Sequence, residues 1–284
     1  MSNNVICPYC GELVNQPTSE LEHVIPEGIG SPILNPDVCN VCNTQASGKV
    51  DSPYLNNLAI RILAVVTGTK TKKGPLEPIK INTKFNENVQ LCVEKSKFSF
   101  IGTLSAKSEI KLFKKHQDSD FPAVEAALKE DVCRYEHAKL FLGLLSMCVP
   151  NFVTSDTAKE LRRIMWHGTR PKLNLPEGAH INGRLFGEVQ KNVTDKDGPL
   201  LYKNRNHIIR IKGEKDGNLF AYIDIYNTLR PNIFTTEKRE EWKGVDVTIH
   251  IDPEVKDVVY YNGITKVDLT QTYPKYKNGC SLKI

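Results

Sequence analysis

The sequence predicts an α+β protein in which a small metal-stabilised N-terminal module precedes a larger α+β domain. Three observations support this fold class. Two C-x-x-C pairs lie near the N-terminus, at Cys7/Cys10 and Cys39/Cys42. Apolar residues recur at helical spacing over residues 55–66 and 123–149, and several segments before and after the second of these helices alternate as β-strands do.

Bulk composition excludes some classes of protein. The chain has 284 residues, 40% of them hydrophobic and 25% charged, as in a soluble globular protein with one large domain or two ordinary ones. No apolar run is long enough for a transmembrane helix. The N-terminus, MSNNVICPYC, lacks the basic start and apolar stretch of a signal peptide. We therefore expect a cytoplasmic protein without a membrane partner.

The net charge is mildly basic, at +5 with a pI near 8.6. A surplus of this size permits a phosphate-bearing partner but is also common as a solubility feature. Charge alone therefore does not identify a nucleic-acid-binding protein, and the function has to be inferred from a site.

The eight cysteines fall into two groups. In a chain without an export signal, paired C-x-x-C favours a metal over disulfides, because each pair places two thiolates on one tight turn at a spacing that suits Zn²⁺. Four cysteines are therefore predicted ligands of a structural zinc: Cys7, Cys10, Cys39 and Cys42. The remaining four are interpreted as small buried apolar residues: Cys92, Cys133, Cys148 and Cys280.

The predicted N-terminal module covers residues 1–70. Its first 50 residues are rich in Cys, Asn, Pro and Gly and cannot bury enough apolar surface to fold without a metal. A helix is predicted over residues 55–66, and Gly68 with the basic run 69–74 ends it. We interpret Asp51 as a cap of this helix. The second domain, residues 75–284, has an unknown role in substrate binding, dimerisation or regulation.

The larger domain is predicted to be mixed. Pro122 and Pro150 bound a helix over residues 123–149 whose second half is apolar on nearly all faces, which indicates a buried central helix. A shorter helix follows, capped by Ser155 or Asp156. Residues 170–206 are predicted to be loops and short strands. Strands are predicted for EPIKINTKF, VQLCVEK, FSFIGTL and EIKLFKK before the long helix, and for HIIRIKG, LFAYIDIYN, VDVTIHI and VVYYNGI near the C-terminus.

The segment between the two C-x-x-C pairs has a distinctive order of residues. It contains Leu21-Glu22-His23-Val24-Ile25-Pro26, then a glycine-rich turn over 27–30, then Asn35, and it leads into Cys39-Asn40-Val41-Cys42-Asn43. Neighbouring residues on a strand face opposite sides. At least one of Glu22 and His23 should therefore line a surface or a site.

This order resembles the HNH endonuclease superfamily, and within it the zinc-knuckle subgroup whose last motif residue is Asn. The resemblance covers roughly residues 5–55. It implies a ββα-metal fold for the N-terminal module and the activity of a metal-dependent endonuclease that hydrolyses phosphodiester bonds.

The resemblance also implies roles for four residues. His23 matches the general base, and Glu22 and Asn43 match the ligands of a catalytic divalent cation. Asn35 matches the residue that orients the histidine through the backbone, with Asn40 as a nearby alternative. Imidazole suits a base near neutral pH, and hard oxygen ligands suit Mg²⁺ or Mn²⁺. The expected products carry 5′-phosphate and 3′-hydroxyl ends.

The resemblance implies a nucleic-acid partner, with double-stranded DNA favoured over RNA, and a homodimer would suit double-strand cutting. Restriction or phage defence is expected by analogy alone. Two alternatives remain open. The chain is a non-catalytic zinc-knuckle protein that binds nucleic acid, or its larger domain is the functional part, a docking or ligand-sensing unit.

Overall fold

The computed structural model describes residues 5–14, 21–71, 74–75, 79–82, 88–94, 97–102, 130–166, 181–189, 194–195, 198–199, 206–226, 229–254 and 256–262. These residues form helices and sheets in one chain, which confirms the α+β fold class. The predicted strand at 109–115, the start of the long helix at 123–129, and Cys280 lie outside the described residues.

The first part of the chain is built from short elements. A 3₁₀ turn over Glu27–Ile29 separates its first two strands, and a π-helical turn over Ser47–Asp51 joins its first two helices. The elements are β1 (Glu22–His23), β2 (Leu34–Asn35), α1 (Asn40–Ala46), α2 (Ser52–Leu55), α3 (Leu58–Val66), β3 (Lys70–Thr71), β4 (Gly74–Pro75), β5 (Ile79–Asn82), β6 (Asn88–Glu94) and β7 (Lys97–Gly102).

The second part has two helices and eight strands among its described residues, together with 3₁₀ turns over Phe152–Thr154 and Glu240–Trp242. The elements are α4 (Glu130–Cys148), α5 (Asp156–Met165), β8 (Ile181–Val189), β9 (Thr194–Asp195), β10 (Gly198–Pro199), β11 (His207–Gly213), β12 (Leu219–Asp224), β13 (Leu229–Thr235), β14 (Asp246–Asp252) and β15 (Asp257–Asn262).

The strands form one large antiparallel sheet and several small ones. The large sheet has six strands in the order β15-β14-β11-β12-β13-β8. β5, β6 and β7 form a three-stranded antiparallel sheet, and β1 pairs with β2 with Glu22 opposite Asn35. Alternate residues of β11, β12 and β14 are buried, as expected for strands with one face on the core.

The sequence did not predict β13 and predicted only short strands where β8 lies. β13 contains Pro231, which has no N–H to give to a neighbouring strand and therefore weakens the strand signal. In the structure the pairing of β13 with β8 shifts between Arg230 and Asn232, where Pro231 lies. Pro231 is not among the paired residues at this shift, so the ladder does not need the donor that proline lacks.

The predicted helices are found with adjusted bounds. The central helix α4 is almost entirely buried from Cys133 to Cys148, and the side chain of Ser155 caps α5 by accepting from the Ala158 N–H at 3.0 Å. The helix predicted at 55–66 is divided into α2 and α3 at Asn56 and Asn57. The left-handed Gly68 follows the end of α3.

Buried residues of both parts of the chain form a single hydrophobic core. Gly143 allows α4 to pack closely against Val24, since a Cβ at position 143 would lie 2.6 Å from Val24 Cγ1. The first part therefore buries its apolar side chains against α4 and the large sheet. The position of the predicted domain boundary, between residues 70 and 75, stays a prediction.

A buried histidine joins the large sheet to the turn after β1. His207 Nε2 lies 2.7 Å from the Ile29 carbonyl oxygen, and the Tyr226 N–H donates to Nδ1 at 3.2 Å. These contacts require the neutral tautomer with its proton on Nε2. In the charged imidazole, a second proton on Nδ1 would point at the Tyr226 N–H, so these contacts disfavour the charged form. Burial accordingly lowers the pKa of His207 to about 4.

Because of His207, we expect the free energy of unfolding to depend on pH. Below pH 6.5 His207 takes up a proton in the unfolded chain, whereas in the folded chain it stays neutral down to about pH 4. The free energy of unfolding should therefore fall by about 3 kcal/mol as the pH drops from 6.5 to 4. His207→Gln should flatten this part of the curve, measured by urea unfolding at half-unit pH steps. Parallel curves for the two proteins would contradict the prediction.

Within the described ranges, no helix combines the length and apolar character needed to cross a lipid bilayer.

Candidate metal centre and cleft

The four predicted zinc ligands converge. The Sγ atoms of Cys7, Cys10, Cys39 and Cys42 all lie within 4.8 Å of one another. Sγ of Cys10 is 3.9 Å from Sγ of Cys39, close to the edge of about 3.8 Å expected for a tetrahedron with Zn–S bonds of about 2.3 Å. The cluster could therefore hold a metal ion such as zinc, as the spacing predicted.

The electrostatics of the cluster suit a cation. The side chains of Cys42 and Cys7 interact with Cys10, which lowers the pKa of Cys10 and raises the pKa of Cys7 and Cys42. Four thiols crowded in this way cannot all ionise without a compensating charge. A bound cation would supply that charge and hold all four as thiolates.

Helix α5 fastens the first C-x-x-C turn to the core. The buried Arg162 donates from Nε to the Pro8 carbonyl at 2.8 Å and from Nη2 to the Val153 carbonyl at 2.6 Å. Trp166 Nε1 donates to the Tyr9 carbonyl at 2.7 Å. Burial lowers the pKa of Arg162, while the nearby thiols act in the opposite direction. The guanidinium thus places positive charge beside the sulfur cluster.

Beside this cluster lies an open cleft of about 770 Å³. Three of the four residues predicted to be catalytic line it: Glu22, His23 and Asn43. Although Glu22 and His23 are neighbours on β1, both reach the cleft, Glu22 buried and His23 half-buried. The other lining residues are Leu21, Pro26, Glu27, Gly28, Leu34, Ser47, Asp51, Ser52, Leu55 and Asn56.

One wall of the cleft is a continuous helical segment from α1 through the π-helical turn to α2. Asn43, Ser47 and Asp51 follow one another at intervals of four residues and all line the cleft. On an unbroken α-helix, residues eight apart would differ by about 80° in direction. The π-helical turn rotates through a smaller angle per residue than an α-helix, because its hydrogen bonds span five residues instead of four. This smaller rotation brings Asp51 back onto the face of Asn43.

The interpretation of Asp51 as a helix cap is wrong. Asp51 precedes α2, but its side chain makes no cap hydrogen bond. It instead contacts Nζ of Lys139, on the central helix α4, at 2.6 Å. Because the π-helical turn is what brings Asp51 onto the cleft, the spacing of Asn43, Ser47 and Asp51 in the sequence did not place Asp51 at the site.

Lys139 lies at the centre of a buried polar cluster behind the cleft. Its side chain has no exposed surface, and Nζ is 2.7 Å from Oε1 of Glu22 and 3.9 Å from Oε1 of Glu136. Nζ also donates to the His23 carbonyl at 3.0 Å, and the Tyr9 hydroxyl donates to Oε1 of Glu22 at 3.4 Å. Glu22 is thus oriented from two sides, and both contacts use Oε1.

Charges in this cluster depend on one another. Burial would lower the pKa of Lys139, but Glu136, Asp51 and Glu22 together raise it above its ordinary value, so Lys139 is charged. Burial raises the pKa of Glu22, although Lys139 opposes the shift. Burial, followed by the charge of Asp51, raises the pKa of Glu136 well above its ordinary value and favours its neutral form.

Asn35 is the predicted site residue that the structure does not place on the cleft wall. It lies opposite Glu22 in the β1–β2 pair, fully buried. Its Nδ2 donates to the Gly143 carbonyl at 3.1 Å and to Ser146 Oγ at 2.9 Å, and its Oδ1 accepts from the Asp37 N–H. Asn35 therefore fastens the β1–β2 pair to α4. Its role in orienting His23 stays a prediction.

The glycine-rich turn forms part of the cleft wall. Gly30 ends the 3₁₀ turn with a φ of 87°, in the left-handed region that favours glycine. A Cβ at Gly30 would lie 2.6 Å from the Pro253 carbonyl oxygen, so the close approach of the large sheet also requires glycine. The predicted turn is confirmed, and it sets the position of Glu27 and Gly28 on the cleft wall.

The oxygen atoms of the cleft are of the type that hard divalent cations prefer. The side chains of Glu22, Asn43 and Asp51 supply carboxylate and amide oxygens on one surface. Among the described residues, the four cysteines are the group of Cys, His, Asp and Glu side chains that meets the geometry of a metal site. The His, Asp and Glu side chains that line the cleft do not form such a group among the described residues.

Comparison of the chain with models of known families, with curated proteins and with solved structures found no match. The function of the protein is therefore inferred from the residues of the cysteine cluster and the cleft.

Proposed function

We propose that this protein is a metal-dependent endonuclease of the HNH type, which hydrolyses phosphodiester bonds in nucleic acid, with DNA as the substrate. The observation that carries the proposal is that Glu22, His23 and Asn43, which match motif positions of the HNH superfamily, line one open cleft. The cysteine cluster joins the start of α1, which carries Asn43, to the turn that holds Cys7 and Cys10.

The chemistry of the cleft suits hydrolysis. His23 is half-buried on the cleft wall, where its imidazole could accept a proton from water. Glu22 and Asn43 would hold a divalent cation, Mg²⁺ or Mn²⁺, which when bound neutralises negative charge on the phosphate. Oε1 of Glu22 is bound by Lys139 and Tyr9, so Oε2 is the oxygen we assign to the cation.

Four sulfur ligands at the cysteine cluster would hold a structural zinc rather than a catalytic one, because a four-thiolate site leaves no open position for substrate. Zinc there would fix α1 relative to the turn at Cys7 and so fix the distance between Asn43 and β1. Restriction or phage defence is the context in which we place such an activity, by analogy.

His23→Ala tests the proposal. Purified protein incubated with plasmid DNA and Mg²⁺ or Mn²⁺ should nick or cut it, and the variant should be slower by about a hundredfold or more, since general-base catalysis contributes that much. His250→Ala is the matched control, because His250 is also a partly buried histidine but lies on β14 and does not line the cleft. Inert wild-type protein with either metal would refute the proposal.

A second candidate function is nucleic-acid binding without cleavage. The observation that favours it is the ion pair between Glu22 and the buried Lys139, because a carboxylate that is already neutralised is a weaker metal ligand. Gel-shift assays with the same plasmid fragments separate the two functions. Binding without cleavage by the wild-type protein would support this candidate.

A further inference from the structure

We propose that Lys139 is a positioning residue of this site: its ammonium group holds the Glu22 side chain and the His23 backbone in place, and Asp51 completes the clamp. The inference rests on the proposed nuclease function and extends the site beyond the N-terminal segment that resembles HNH proteins. The helix that carries Lys139 lies more than 80 residues after Asn43 in the chain.

The contacts of Lys139 are made to successive residues of β1. Nζ lies 2.7 Å from Oε1 of Glu22 and donates at 3.0 Å to the carbonyl oxygen of His23. These are the residues proposed as metal ligand and general base. A single ammonium group therefore fixes both the orientation of the carboxylate and the path of the strand that carries the imidazole.

Asp51 joins this arrangement from the opposite wall of the cleft. Its Oδ1 lies 2.6 Å from the same Nζ, and the side chain is mostly buried. Through Lys139 the helical wall that carries Asn43 is thus connected to β1. We infer that the separation between the two proposed metal ligands, Glu22 and Asn43, depends on this connection.

Because Lys139 is fully buried, its ammonium group depends on these protein partners. The Lys139 side chain has no exposed surface, so an unpaired ammonium there would be strongly unfavourable, and water cannot readily replace its partners. Lys159 provides the contrast, since it lies on the surface of α5 in an ion pair with Asp156. The ammonium group is held by three partners directly behind the cleft wall, where it can orient the residues that line the cleft.

The test compares Lys139→Met and Asp51→Asn with the surface control Lys159→Met, all in the full-length protein. Two quantities are measured: plasmid cleavage, as kcat and KM, and binding of Mn²⁺ by electron paramagnetic resonance. Losing a supporting contact should lower kcat or metal affinity by about tenfold to a hundredfold, with KM for DNA little changed. The Lys159→Met protein should match the wild type.

Asp51→Asn keeps the Glu22–Lys139 pair and serves as the second variant if Lys139→Met does not fold, as judged by circular dichroism and zinc content. Unchanged kcat and unchanged Mn²⁺ binding in Asp51→Asn, or in folded Lys139→Met, would overturn the inference while leaving the nuclease proposal intact. A loss confined to KM would also overturn it. If wild-type protein cuts nothing, the nuclease proposal fails first, and the inference falls with it.

Discussion

Replacing Cys42 with alanine is expected to abolish zinc binding and to destabilise the protein more than any other change considered. Cys42 is fully buried and is one of the four converging cysteines. Structural zinc sites contribute about 10–16 kcal/mol of apparent binding free energy, whereas whole domains are stable by only about 5–15 kcal/mol. Losing one thiolate should therefore unfold the segment around β1 and β2.

Zinc content by atomic emission spectrometry and urea unfolding followed by circular dichroism check this expectation. Wild-type protein should carry about one zinc per chain. Cys148→Ala is the matched control, because Cys148 is also buried but lies at the end of α4, outside the cluster. It should keep its zinc and lose on the order of 1 kcal/mol. A Cys42→Ala protein as stable as the wild type would contradict a structural metal.

Lys139→Met is expected to have the second-largest effect on stability, a loss of about 3–5 kcal/mol in the free energy of unfolding. The substitution removes the cation and leaves the carboxylates of Glu22 and Asp51 together in the cleft wall, both largely buried. One of them would then have to take up a proton or draw in water. Breaking a buried pair in this way costs much more than the pair itself contributes.

The surface pair on α5 again provides the control. Lys159 contacts Asp156 at 2.6 Å, the same distance as Lys139 from Asp51, but both side chains of the surface pair are more than a third exposed. Lys159→Met should therefore change stability by less than about 1 kcal/mol. Adding Glu22→Gln to Lys139→Met should recover part of the lost stability, because it removes one of the two carboxylates that no longer have Lys139 as a partner. Equal losses in the two lysine variants would contradict the buried ion pair.

Local patterns predicted most of the secondary structure. α4 was predicted from an apolar run bounded by prolines, and the N-cap of α5 from Ser155, because helix propensity and capping act within a few residues. β13 was missed because Pro231 weakens the local strand signal, and only its neighbour β8 shows that the proline lies at a bulge.

The candidate site was predicted in part. Spacing within C-x-x-C predicted the sulfur cluster, since two residues on one tight turn are enough to set the bite of a metal site. The resemblance to the HNH superfamily pointed to Glu22, His23 and Asn43, which line one cleft. Asp51 was misread as a cap, because a carboxylate before a helix usually is one.

The sequence by itself predicted the fold class and the cysteine cluster, because hydrophobic periodicity and the C-x-x-C spacing are local patterns, and its resemblance to the HNH superfamily pointed to Glu22, His23 and Asn43. Only the tertiary structure decided that Lys139 lies behind the cleft, that Asp51 faces it, and that Asn35 fastens β2 to α4. Lys139 is more than 100 residues from Glu22 in the chain. Contacts at such separations follow from how helices and sheets pack, and a single sequence carries no local pattern that records them.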